Sequence, residues 1–80
     1  MRLPRDISGR QLAQALRTLG YTVTRMSGSH MRITTLLDGE HHETIPDHDP
    51  LKTGTLAAIL KSVAANHRME VAELRDRIGI

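Results

Sequence analysis

Between Tyr21 and Pro46 the chain alternates with a period of two, in three runs separated by two turn signals, and this pattern calls for an antiparallel meander. The first run, Tyr21 to Met26, is rich in β-branched residues and sets Tyr21, Val23 and Arg25 against Thr22, Thr24 and Met26. Ser27-Gly28-Ser29 is the first turn. The second run, His30 to Leu37, sets Met31, Ile33, Thr35 and Leu37 against His30, Arg32, Thr34 and Leu36. Asp38-Gly39 marks the second hairpin, and His41 to Pro46 is the third strand. With three-residue turns at both hairpins, Val23, Ile33 and Ile45 form one row, which should face the helices. His30, Arg32, Thr34, His42, Thr44, Thr22 and Thr24 then share the opposite, polar face.

The flanking segments change to helical periodicity. Ser8 is a good N-cap, the stretch to Leu19 puts Leu12, Ala15, Leu16 and Leu19 on one face, and Gly20 stands where a glycine ends a helix. After the loop Pro46-Asp47-His48-Asp49-Pro50, Thr53 or Thr55 can cap a helix running to about Asn66, with Leu56, Ile59, Leu60 and Val63 inward. Glu70 to Ile78 reads as a short third helix that uses Val71, Leu74 and Ile78. The order is helix, three strands, helix, small helix: an α+β two-layer domain occupying residues 1–80.

Eighty residues support one small core. Its apolar residues are aliphatic apart from Tyr21, which argues against a module that stacks RNA bases on several exposed aromatic rings. The chain has no cysteine, so disulfides, thiolate zinc ligands and a cysteine nucleophile are excluded. No apolar run approaches the roughly 20 residues of a membrane span, and the N-terminus lacks a signal-like apolar core. A cytoplasmic protein is expected. Charge is uneven: residues 1–35 hold six arginines against Asp6 alone, whereas residues 36–80 hold five bases against eight acids. Such asymmetry suits a molecule that grips phosphate with one surface.

His30 is the candidate for chemistry, because imidazole shuttles protons near neutral pH. It stands at the mouth of the Gly28-Ser29 turn, where a substrate backbone can approach closely, and Arg32 shares its face. A histidine beside an arginine can take the proton of an RNA 2′-hydroxyl while the guanidinium holds the phosphate. His41, His42 and His48 raise a metal alternative, but adjacent histidines on a strand point to opposite faces, so no metal site is expected. Lys52, Thr53, Gly54 and Thr55 open the second long helix, where free amides and a lysine favour an anion; an ordinary cap with a surface lysine is the simpler account, and the segment becomes a phosphate grip only where RNA binding is established.

Three ordered blocks carry a family resemblance: Leu3-Pro4-Arg5-Asp6-Ile7-Ser8-Gly9-Arg10, Gly28-Ser29-His30, and Ile45-Pro46-Asp47-His48 with Leu51-Lys52-Thr53-Gly54-Thr55-Leu56. From about Leu3 to Val63 the chain resembles HicA toxins. The resemblance implies a double-stranded RNA-binding-domain-like fold, α-β-β-β-α, and an endoribonuclease acting on mRNA, the toxin of a type II toxin-antitoxin pair held inactive by a HicB antitoxin. It places the catalytic histidine at His30; the residues read around it, Gly28, Ser29, Arg32 and Lys52, are the RNA-binding candidates. A mechanism with His30 as general base requires neither a metal nor another cofactor. The segment from Asn66 to Ile80 lies beyond the resemblance.

On this reading His30 acts as general base, Arg32 and Lys52 steady phosphate charge, and either His42 or solvent supplies the acid. The competing class is a non-catalytic RNA-binding module of the same fold. A partner covering the polar sheet face would bury His30 and exclude substrate, and acidic groups on it would match the arginine-rich half.

Overall fold

The computed structural model describes residues 2–80. Its elements are α1 (Gly9–Leu16) with a 3-10 turn at Arg17–Leu19, β1 (Thr22–Ser27), β2 (His30–Thr35), β3 (His41–Pro46), α2 (Thr53–Asn66) and α3 (Val71–Ile78). The strands form one antiparallel sheet in the order β1-β2-β3, the α+β arrangement expected from the alternation.

Helix α1 begins as its sequence dictates. The Ser8 hydroxyl accepts from the Gln11 amide at 3.0 Å, and the Gln11 side chain accepts from the Ser8 amide at 2.8 Å, closing a capping box. The helix tightens into its 3-10 turn and stops at Gly20, whose φ of 82° is the left-handed conformation glycine adopts without cost. Leu12 and Leu16 of α1 are fully buried, as are Ile33 and Ile45 of the sheet and Leu56, Leu60 and Val63 of α2. Each contributes roughly 1.5–3 kcal/mol by leaving water, which lets an aliphatic core of this size hold two layers together. Helix α3 closes the open end, burying Leu74 and Ile78 against α2 and the 3-10 turn.

The sheet register departs from expectation in two places. Ser27 pairs with His30, so the first hairpin turns through two residues, Gly28 and Ser29, rather than three. Gly28 has a φ of 58° and Ser29 does not, the signature of a type II′ turn. Val23 nevertheless lies opposite Ile33 as expected, because a bulge at Thr24 absorbs the lost residue. At the second hairpin Ile45 lies opposite Met31, and Ile33 opposite Glu43. The faces are as expected, but the row is displaced by one pair.

The cause of that displacement is Thr35. Its buried hydroxyl donates to the Leu19 carbonyl at 2.8 Å and accepts the Leu37 amide at 3.0 Å, ending β2 two residues early. Leu36 and Leu37 therefore leave the strand and are 75% and 49% exposed. Val23, expected under the helices, is 48% exposed at the uncovered edge beside α1. Helix α2 also starts differently: its N-cap is Lys52, and neither Thr53 nor Thr55 caps it. The buried Leu51, whose amide donates to the Ile7 carbonyl at 2.8 Å, fixes the chain just before that point.

One polar chain runs through the helix-facing side. Ser62 donates to Glu43 at 2.6 Å, so the serine oxygen accepts from His41 Nε2 at 3.1 Å. His41 Nδ1 lies 2.7 Å from the Tyr21 hydroxyl, which in turn lies 3.2 Å from His67 Nε2. His67 Nδ1 meets the Asp38 carboxylate at 3.0 Å, where Nδ1–H is the donor. Both imidazole rings meet the Tyr21 ring edge-on.

Burial, with Glu43 nearby, pushes the Tyr21 phenol from 10.0 up to about 12. Since Tyr21 is the sole tyrosine and the chain has no tryptophan, its phenolate can be followed by ultraviolet absorbance. The folded protein should titrate near pH 12 and the denatured chain near 10. Below 10 the phenol is neutral in both states and its contribution to stability is whole; as pH rises past 10 the unfolded chain ionises first, and that contribution drains away. Tyr21→Phe should flatten this alkaline limb of the stability curve.

Candidate functional site

The candidate site is built at one end of the sheet, where the β1–β2 turn meets the chain leaving β3. His30 opens β2 between Ser27 on β1 and Pro46 on β3. Beyond Pro46, the Asp47 amide donates to the Ser29 carbonyl at 2.6 Å, tying the turn to the loop, and the Gly9 amide donates to the His48 carbonyl at 2.9 Å. Arg10 grips Asp47 through two nitrogens, at 2.9 and 3.0 Å. The guanidinium holds the Asp47 carboxyl below the usual carboxylate range. Two separate segments, the loop after β3 and the start of α1, thus brace the turn that presents His30.

Gly9 makes that bracing close. A Cβ on Gly9 would stand 1.9 Å from the Pro46 carbonyl oxygen and 3.2 Å from Ile45 Cγ2. Only glycine lets α1 approach the end of β3 this nearly. Around Gly28, by contrast, a Cβ would meet nothing, and the open space there is open to a substrate.

The five histidines divide into two groups. His41 and His67 belong to the Tyr21 chain, and His42 bonds through both nitrogens, to Thr34 at 2.8 Å and to Glu40 at 2.8 Å. His41 and His42 point to opposite faces, and no group of three His, Cys, Asp or Glu among the described residues could hold a metal ion. His30 and His48 are exposed, and neither ring has a hydrogen-bond partner among the described residues. His42 shares the polar face with His30, as expected, but Thr34 opposite it is four residues along β2 from His30. At about 3.3 Å per residue that is roughly 13 Å, too far to serve the same scissile bond.

Of the residues singled out in the sequence, Gly28, Ser29, His30 and Arg32 come together on one hairpin, all exposed. Lys52 belongs to a different element, exposed at the head of α2 and six residues past Pro46. The alternation put Arg25 on the helix side. The bulge instead turns it opposite Arg32, onto the face of His30. No carboxylate pairs with Arg25 or Arg32 among the described residues. With Tyr21 fully buried, the face offers no Phe, Tyr or Trp ring. It can take hold of an anionic backbone, with an imidazole free to move a proton.

A family model described as "HicA toxin of bacterial toxin-antitoxin" matches residues 9–64, from the start of α1 to near the end of α2, and takes in the whole hairpin. No curated protein and no solved structure matches the chain.

Proposed function

The chain belongs to the HicA toxin family and so to the toxins of toxin-antitoxin systems, and from that premise we propose that it is an endoribonuclease that cleaves mRNA by internal attack, with His30 as the general base. The observation that carries the reading is an exposed imidazole that, among the described residues, has no partner, at an open glycine turn beside arginines that no carboxylate among them pairs with. His30 takes the proton of a 2′-hydroxyl. The 2′-oxygen attacks the adjacent phosphorus, the bond to the 5′-oxygen breaks, and the products are a 2′,3′-cyclic phosphate and a 5′-hydroxyl end. Arg32 stabilises the charge that develops on the phosphate oxygens, and Lys52 at the head of α2 holds the chain further along. The proton for the departing 5′-oxygen comes from solvent or from His48, whose loop is tied to the His30 turn.

The reaction needs no metal ion, and it runs in the cytoplasm on mRNA. RNA is held by its backbone, so binding should weaken steeply with salt. The cognate antitoxin that the family implies is of the HicB type. It neutralises the toxin by covering the polar sheet face, with acidic groups placed against the arginines. The test is incubation of antitoxin-free protein with end-labelled mRNA in excess chelator. Fragments ending in cyclic phosphate are expected. Intact RNA bound by folded protein would overturn the nuclease reading in favour of a binding module.

A further inference from the structure

The sheet contains a device that the nuclease reading does not use. Up to Val23, β1 pairs regularly with β2; continued regularly, Thr24 would face Arg32, and Arg25 would face Met31, on the buried side. One extra residue at Thr24 reverses the remaining strand, so that Arg25 faces Arg32 and Met26 faces Met31. Thr24 is pinned in place: its hydroxyl donates to the Arg32 carbonyl at 3.3 Å and lies 3.0 Å from the Thr34 hydroxyl.

The outcome is costly in the free protein. Two guanidinium groups directly across an antiparallel pair repel each other, and neither has a carboxylate partner among the described residues. An anion between them reverses the sign of that interaction. The pair lies two residues along β2 from His30, about 6–7 Å, within the length of an arginine side chain.

Resting on the nuclease reading, we propose that Arg25 is a second RNA-phosphate ligand, closing with Arg32 a two-arginine clamp beside His30, and that the Thr24 bulge is the positioning feature that brings it there. Arg25 touches the RNA backbone. Thr24 acts only through Arg25, and neither takes part in proton transfer.

The experiment measures binding of a short mRNA fragment across a salt series, with His30→Ala as the parent so that the RNA stays whole. Adding Arg25→Gln should weaken binding roughly five-fold at moderate salt, as for an exposed charged contact. The slope of log affinity against log salt should fall by about 0.7, the loss of one phosphate contact on single-stranded RNA. Arg25→Gln should also raise the thermal midpoint of the free protein by relieving the repulsion, an effect opposite to that expected of a structural residue. Thr24→Val, which keeps the β-branched shape without the hydroxyl, should weaken RNA binding in the same direction while the protein stays folded. Unchanged affinity and slope in Arg25→Gln, with both reduced in Arg32→Gln, would overturn the clamp and leave the nuclease reading intact. Failure of both the His30→Ala parent and the wild-type protein, the latter assayed on an uncleavable 2′-deoxy strand, to bind would overturn both.

Discussion

Replacing His30 with alanine should slow RNA cleavage by about 10²–10⁴-fold, the range general acid-base catalysis supplies, and leave RNA affinity nearly unchanged. The separation of the two effects follows from the surroundings of the ring. His30 is exposed and bonded to nothing among the described residues, so its loss leaves no buried group unsatisfied and opens no cavity. Thermal unfolding of the variant should match that of the parent. On the proposed mechanism the phosphate contacts come from Arg32 and the neighbouring cations, which the substitution leaves in place. Single-turnover cleavage, with binding measured separately, checks both halves. A variant that cleaves at the parental rate removes His30 from the mechanism; one that loses affinity in the same proportion makes it a binding residue.

Gly9→Ala should destabilise the fold by roughly 2–3 kcal/mol, although alanine is the better helix former by about 1 kcal/mol. Two effects oppose each other here. The added methyl would sit 1.9 Å from the Pro46 carbonyl oxygen, a backbone atom that cannot swing aside, so α1 must move off the end of β3. That displacement exceeds what helix propensity returns. Gly54→Ala in α2 is the internal control, because a Cβ there meets nothing within 4 Å. It should stabilise by about 0.4–1 kcal/mol through the unfolded chain. Urea unfolding of the two variants should give shifts of opposite sign. The Gly9 variant should also cleave more slowly, since the Pro46–Asp47 segment it disturbs braces the turn that carries His30.

What the sequence made legible here was local. The N-cap at Ser8, the stop at Gly20, the three strands and the face each side chain takes on β2 and β3 follow from periodicity and turn residues within a few positions. For the same reason Gly28, Ser29, His30 and Arg32 could be placed on one hairpin before any coordinates. What escaped depended on distant partners. Thr35 ends β2 because its hydroxyl reaches Leu19, sixteen residues back. His67 lies outside the strand pattern altogether and is drawn in by Tyr21, forty-six residues away. The bulge at Thr24 carries no glycine to announce it. It is held by hydroxyl contacts with β2, and with it went the position of Arg25. Lys52 is visible in the sequence as a basic residue at a helix head, but that it is itself the N-cap, in place of either threonine, is decided by the anchoring of Leu51 against Ile7.

The account stands on attack by the 2′-oxygen, and one substrate change addresses that directly. Cleavage sites are first mapped on an RNA, and the nucleotide on the 5′ side of one site is then replaced by its 2′-deoxy counterpart, the remainder of the strand being kept as RNA. The phosphate charge and the arginine contacts are preserved, so the strand should bind as before, remain uncut at that position and still be cleaved at its other sites. Cleavage at the deoxy position at the rate of the all-RNA strand would contradict the account, because it would mean that some other nucleophile attacks the phosphorus and that His30 has no 2′-hydroxyl to deprotonate.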